Sequence, residues 1–183
     1  MRKYVSFIFL LGIHAATDLL NIGDSDTISF MAEQKHPLSQ QEFDAIYGKV
    51  PRLTVEAVIR TAAGLVMTKI PGGVAKGQWN VPGGTVRFGE HLPDAVRRVA
   101  EGELGVSVDV GSLLGYVEYP ELFASGYRGW PVGLAFECTI TEGNLTVSDQ
   151  GEAVQCFTEI PANTIPEQAD FLGKYIANHP FSD

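Results

Sequence analysis

Residues 83–106 read Gly83-Gly84-Thr85-Val86-Arg87-Phe88-Gly89-Glu90, then His91-Leu92-Pro93-Asp94-Ala95-Val96-Arg97-Arg98-Val99-Ala100-Glu101-Gly102-Glu103-Leu104-Gly105-Val106. A glycine-led loop runs into a strongly periodic segment. Leu92, Ala95, Val96, Val99, Ala100 and Leu104 recur at helical spacing and form one apolar stripe. Pro93 suits a first helical turn, Asp94 complements the N-terminal dipole, and Gly105 suits a helix stop. His91 reads as a substitute N-cap. Just upstream, Pro82-Gly83-Gly84 reads as a turn whose glycines permit positive φ and close backbone approach.

Working outward, Ser39 or Gln40 opens a short helix with Phe43, Ile46 and Tyr47 on one face, ended by Pro51. Leu53–Arg60 alternates apolar and polar residues in its first half. With the Ala63-Gly64 turn and Leu65–Lys69 it predicts a β-hairpin. Gln78–Val81 reads as a short extended piece. Beyond the central helix, strands are expected at 107–110, 115–119, 132–140 and 153–157, with a long aromatic loop at 120–130 and a closing helix at 166–176. Strands mixed with a central and a terminal helix predict an α+β sandwich, a mixed sheet between helices.

Charge narrows the function. The 183 residues carry 13 Lys and Arg against 22 Asp and Glu, a net charge of −9. Such a surface repels a phosphate backbone, so nucleic-acid binding is not expected. Residues 31–120 hold nine basic and ten acidic side chains, and 121–183 hold two and nine. The middle of the chain is therefore where phosphates would be met. Cys138 and Cys156 are too few for a disulfide framework or a four-cysteine zinc site, and both read as buried thiols. Met1-Arg2-Lys3 and the apolar run 4–13 have a weak signal-peptide look, interrupted by His14 and Asp18. Residues 1–30 are set apart as an N-terminal extension, a signal-like segment or a start placed too early, with an extra packed element as a further alternative. Met31 opens what looks like an ordinary cytoplasmic protein, and 31–183 is taken as the functional domain.

The segment 84–106 resembles the signature of the Nudix hydrolases, G-x5-E-x7-R-E-U-x-E-E-x-G-U with U a bulky aliphatic residue. Gly84, Glu90, Arg98, Glu103, Gly105 and Val106 match in register, and Trp79–Gly84 is similar to the family's approach segment. The resemblance implies a Nudix-like α/β/α sandwich, a small nucleotide substrate, Mg²⁺ or Mn²⁺ as cofactor, no membrane partner and a homodimer. A hard cation takes oxygen ligands, and a loop and helix can present carboxylates and carbonyls to it beside a diphosphate. Glu103, the Gly83 or Gly84 carbonyl, and Glu152 are the expected metal ligands, Glu152 doubling as a candidate base with Asp149 behind it. Arg98 is expected to hold Glu90 or the loop carbonyls. Arg87 and Lys69 are candidates for the diphosphate, with Lys76 weaker. Arg52 is a candidate for a base or ribose, and Tyr127 and Trp130, with Tyr119 and Phe123, for stacking. The plainer reading of each is a solvated charge or a packed aromatic.

Two signature carboxylates are replaced here, by Val99 and Gly102, which predicts fewer or weaker metal ions. Arg98-Val99-Ala100-Glu101-Gly102-Glu103-Leu104-Gly105 is similar to the box of GDP-mannose mannosyl hydrolases, R-L-x-x-A-E-L-G. In that branch one Mg²⁺ holds the diphosphate and water attacks the sugar carbon. The histidine base of that branch corresponds to Trp130-Pro131 here. The expectation is a Mg²⁺-dependent hydrolase of a nucleoside diphosphate linked to another moiety, a nucleotide sugar foremost. The alternative is a weakened domain that binds a nucleotide without cleaving it.

Overall fold

The computed structural model describes residues 38–145 and 154–180. The expected extension at 1–30, together with Asp149 and Glu152, lies outside them. The chain divides into two units, Met1–Glu42 and Phe43–Asp183. In the first, the Ser39 amide donates to Glu42 Oε2 at 2.9 Å and the Glu42 amide to Ser39 Oγ at 3.3 Å. This reciprocal capping box opens helix α1, Gln40–Tyr47.

The second unit is built on β1 (Pro51–Thr61). A tight turn leads to β2 (Gly64–Lys69), antiparallel to β1 as the hairpin pattern predicts, with Arg60↔Leu65 in register. Then follow β3 (Trp79–Asn80), β4 (Gly83–Thr85), α2 (Leu92–Leu104), β5 (Ser107–Glu118), α3 (Pro120–Ala124), β6 (Trp130–Glu142), β7 (Val154–Phe157) and α4 (Pro166–Asn178). The strands order as β3-β2-β1-β6-β5, with β4 added to β1 and β7 to β2. β1 runs parallel to β6, from Pro51↔Trp130 to Ile59↔Cys138, while its pairings with β2 and β4 are antiparallel. The sheet is mixed, and β1 is its buried centre.

Alternation along β1 divides the core. Val55, Ala57 and Ile59 pack on Ala95, Val96, Val99, Ala100 and Leu104 of α2. Val58 joins Leu172 and Tyr175 of α4. Helices therefore cover both faces, and the central helix keeps its expected signals. His91 sits at the N-cap without a side-chain bond, and Gly105 closes the helix at φ 70°, where a Cβ would be strained. Three local expectations change, the first being the aromatic loop at 120–130, which folds at its start into α3 and passes into β6 at Trp130. Pro82-Gly83-Gly84 is not a positive-φ turn: Gly83–Thr85 pairs with Thr54–Glu56 of β1 as β4. The segments 107–110 and 115–119 are one strand, because irregularities between Val110 and Gly115 absorb the break without ending its pairing with β6. Cys138 is buried and Cys156 half-buried, both as free thiols.

Candidate active site

β1 carries Arg52, Thr54 and Glu56 on one face, two residues apart, away from α2. All three line a cavity of ≈ 300 Å³, with Gly83 and Gly84 on one side and Tyr119, Tyr127 and Gln168 on the other. Its far wall comes from distant sequence. Glu167 of α4 accepts the Glu121 and Leu122 amides at 2.7 and 3.1 Å, capping the short α3 and fixing the loop that carries the tyrosines. The Trp79 amide donates to the Asn163 carbonyl, and Ile165 N–H returns to the Trp79 carbonyl. This ties the start of α4 to β3 and brings Gln168 over β1.

Glu56, which the sequence reading did not single out, is the carboxylate of this cavity. It is 5% exposed. Tyr119 OH donates to its Oε1 at 2.7 Å, and Gln168 Nε2 to its Oε2 at 3.1 Å. Gln168 also donates to Tyr119 OH at 3.0 Å and accepts the Val81 amide at 2.9 Å, so its orientation is fixed. Two glycines make the slot. A Cβ on Gly83 would lie 2.4 Å from Glu56 Oε2, and one on Gly133 would lie 2.5 Å from Oε1. Close approach to a side chain is thus what Gly83 supplies, rather than an unusual φ.

Glu103 projects from α2 toward the same glycine. The Gly83 amide and the Thr68 hydroxyl, which donates to Asn80 Oδ1 at 3.1 Å, both favour its charged form. Burial raises its pKa to about 7, against the lowering effect of those two donors. Burial likewise raises Glu56 to about 7, opposed by the Tyr119 bond and reinforced by the charge of Glu103. Burial and the neighbouring Glu56 push the Tyr119 phenol well above its usual value. Two carboxylates thus share one field around Gly83, each held away from easy ionisation.

Glu90 and Arg98 form a separate clamp. Arg98 Nε donates to Glu90 Oε1 at 2.6 Å, and its Nη2 to Glu90 Oε2 at 2.8 Å and the Thr85 carbonyl at 3.0 Å. The Arg87 amide completes the loop with a 2.8 Å bond to Glu90. The Arg98 bond, foremost, holds the Glu90 carboxyl below its usual range. This pair fixes β4 and the following loop to α2.

The other candidates separate by position. Arg52 Nε donates to Thr85 Oγ1 at 2.7 Å, its Nη1 bonds Tyr127 OH, and the guanidinium lies 5.2 Å from the Phe43 ring centre. Lys69 lies over the Trp79 ring, 5.8 Å from its centre, while Arg87 and Lys76 are exposed; none of the three lines the cavity. Tyr119 and Tyr127 line it. Trp130 and Phe123 instead stack edge to face at 5.4 Å, outside it. Val99 packs beneath Gly84, whose added Cβ would meet Val99 Cγ2 at 2.9 Å, and Gly102 faces open space.

Among the described residues, no three His, Cys, Asp or Glu side chains gather in a metal-binding group. Among the described residues, the donors that suit a hard cation are Glu103 and the carbonyls around Gly83, with Glu56 adding negative charge from the cavity. Two carboxylates raised by burial, Glu56 also by the charge of Glu103, are relieved by a nearby divalent charge. No helix among the described residues is long and apolar enough to cross a membrane.

Comparison with known proteins bears on the fold and the family. The low-salt glycan biosynthesis protein Agl8 of Haloferax volcanii is 37% identical over 123 residues, 66% of this chain and 79% of that protein. An ADP-ribose pyrophosphatase of Methanocaldococcus jannaschii is 28% identical over 119 residues, 65% of this chain and 67% of that one. Among solved structures, a MutT NUDIX hydrolase from Burkholderia pseudomallei superposes with a TM-score of 0.61 at 26% identity, covering 68% of this chain and 97% of its own. A UDP-X diphosphatase superposes at 0.59 and 17% identity over 97% of this chain and 95% of its own, a likeness of fold alone. Residues 50–177 match the NUDIX domain, and the chain belongs to the Nudix hydrolase family.

Proposed function

We propose that this chain is a Mg²⁺-dependent hydrolase that cleaves a nucleoside diphosphate from a linked moiety, with a nucleotide sugar as the substrate class. The observation that carries the reading is the pair Glu56 and Glu103, gathered on Gly83 beside a cavity whose opposite end holds the guanidinium of Arg52. Glu103, a Gly83 or Gly84 carbonyl and Glu152 would hold Mg²⁺, with Glu56 adding negative charge from the cavity floor. The ion, when bound, offsets charge on the diphosphate leaving group. The protein's own part is to orient. Arg98 and Glu90 hold the glycine loop against α2, and Tyr119 and Gln168 hold Glu56. The relative named for glycan biosynthesis supports a sugar-linked substrate, as does the box similar to that of GDP-mannose mannosyl hydrolases. The relative named for ADP-ribose supports a nucleoside diphosphate joined to a sugar.

A second reading, nucleotide binding without cleavage, is favoured by one observation: the signature position at Val99 is packed in the core and that at Gly102 is bare, which leaves Glu103 as the carboxylate α2 turns toward Gly83. One experiment separates the two. The full chain is incubated with Mg²⁺ and a panel of nucleotide sugars in ¹⁸O-water, and products are read by mass spectrometry. Label in the sugar or in a phosphate, absent without Mg²⁺ and in Glu103→Gln, supports hydrolysis and identifies the attacked atom. Tight nucleotide binding with no labelled product supports the second reading.

A further inference from the structure

We propose that Arg52, from the central strand, is the phosphate-binding cation of this site, in place of the loop and hairpin cations Arg87 and Lys69. The inference rests on the functional reading above and names the contact through which that site takes its diphosphate.

Three observations carry it. Arg52 is the one cation among the described residues that line the cavity. Its hydrogen bonds and ring contact all go to uncharged groups, Thr85 Oγ1, Tyr127 OH and the Phe43 ring, while its charge acts on Glu56 along the same cavity without pairing with it. It forms no salt bridge among the described residues, whereas Arg97, Arg98 and Lys174 each meet a carboxylate within 2.9 Å. A half-buried guanidinium whose hydrogen bonds go to neutral groups has N–H donors to spare for an anion.

Position supplies the rest. Thr85 is two residues beyond Gly83 on β4, and antiparallel pairing sets Thr85 against Thr54 and Gly83 against Glu56. The Arg52 head, anchored on Thr85, therefore stands about two residue spacings, roughly 7 Å, along the strand from the carboxylate pair. A diphosphate with one phosphate at the Gly83 end directs its other phosphate toward Arg52. The hydroxyl of Thr85 and the phenol of Tyr127 aim the guanidinium, and Phe43 closes its back.

Isothermal titration of the full-length protein with inorganic pyrophosphate, in the presence of Mg²⁺, tests the assignment without any nucleobase. Wild type should bind, and Arg52→Gln should weaken binding at least tenfold, with partial recovery in Arg52→Lys. Tyr127→Phe, which removes one aiming bond and no charge, should weaken it severalfold. Arg97→Gln, a surface change, should leave it unaltered. The same variants titrated with each of the four ribonucleosides, which lack phosphate, should match wild type. Circular dichroism melts show whether each variant remains folded, and Arg52→Lys keeps the test open if Arg52→Gln does not.

Equal pyrophosphate affinity in wild type and Arg52→Gln would overturn this assignment and leave the hydrolase reading standing. A loss confined to nucleosides would overturn it in favour of a base or ribose contact, and a loss in Arg87→Gln or Lys69→Gln alone would return the phosphate to those side chains. A wild-type protein that binds neither pyrophosphate nor any nucleotide would overturn the functional reading, and this assignment with it.

Discussion

The two sides of the Gly83–Thr85 strand are wired differently. On the α2 side opposite charges meet: Glu90 and Arg98 form two hydrogen bonds with each other, and Arg98 also holds the Thr85 carbonyl. On the cavity side they do not. Glu56 is hydrogen-bonded to neutral donors and lies in the opposing fields of Glu103 and Arg52, and Arg52 rests on a hydroxyl, a phenol and a ring. The first arrangement is satisfied in the protein alone and lowers a pKa. In the second, burial raises two pKa values and the cation forms no ion pair among the described residues. Satisfied pairs hold a scaffold, while groups kept in unfavourable fields are relieved by what binds, here a divalent cation and a phosphate.

The sharpest way to break that contrast is to remove one group from each side. Glu103→Gln should reduce Mg²⁺-dependent turnover by upward of ~100-fold while leaving the fold in place, since it deletes a charge the metal needs and no core contact. Turnover assays with circular dichroism melts check both halves. Arg98→Met should act in the reverse sense, costing about 1–3 kcal/mol of stability through loss of the charged hydrogen bonds. That is a fall of roughly 3–10 °C in melting temperature for a domain of this size. Turnover should then fall about tenfold, through a loosened glycine loop. If Arg98→Met matched Glu103→Gln in turnover and kept its stability, the division between clamp and cavity would be wrong.

Titration sharpens the contrast further. Glu56 and Glu103 stand at about 7 in the fold, above the ordinary 4.5 of the unfolded chain. As pH rises from 4.5 to 7 the unfolded state loses protons that the folded state keeps, so their contribution to stability is present below that window and lost above it. Glu90, lowered by Arg98, contributes in the opposite sense: its contribution is present above the ordinary 4.5 and is lost as pH falls from there through its depressed pKa. Metal-free protein should therefore melt lower at pH 8 than at pH 5, by on the order of 5 °C, and Mg²⁺ should restore more at pH 8 than at pH 6. Differential scanning fluorimetry with chelator or Mg²⁺ reads both; a flat metal-free profile would remove the strained pair.

The smallest effect lies on the helix itself. Gly102 occupies α2 with open space where a Cβ would go. Gly102→Ala should add about 0.5–1 kcal/mol from helix propensity and leave turnover unchanged, measured by urea denaturation.

How much of this was legible follows from the range of each interaction. The helix at 92–104, its Gly105 stop and the hairpin are local patterns, and each appears where the residues place it. β4 and the single β5 were hidden because pairing with β1 and β6 overrides their turn-like glycines. Glu56 was hidden for a similar reason. In Leu53-Thr-Val-Glu its alternation reads as a solvent-facing polar residue, and its burial comes from Tyr119 and Gln168, 63 and 112 residues away. Gly133, inside an otherwise apolar strand, was the available signal, since a strand glycine often marks close approach by another group. Arg52 was visible as a candidate, but its setting depends on Thr85 and Tyr127, which only the fold brings to it.

The most direct measurement is anomalous diffraction from crystals grown with Mn²⁺ and a nucleoside diphosphate. The expected result is a manganese peak within coordination distance of Glu103 and a Gly83 or Gly84 carbonyl, with a phosphate turned toward Arg52. A saturated crystal whose manganese and phosphates lie away from Gly83 would contradict the placement of the site.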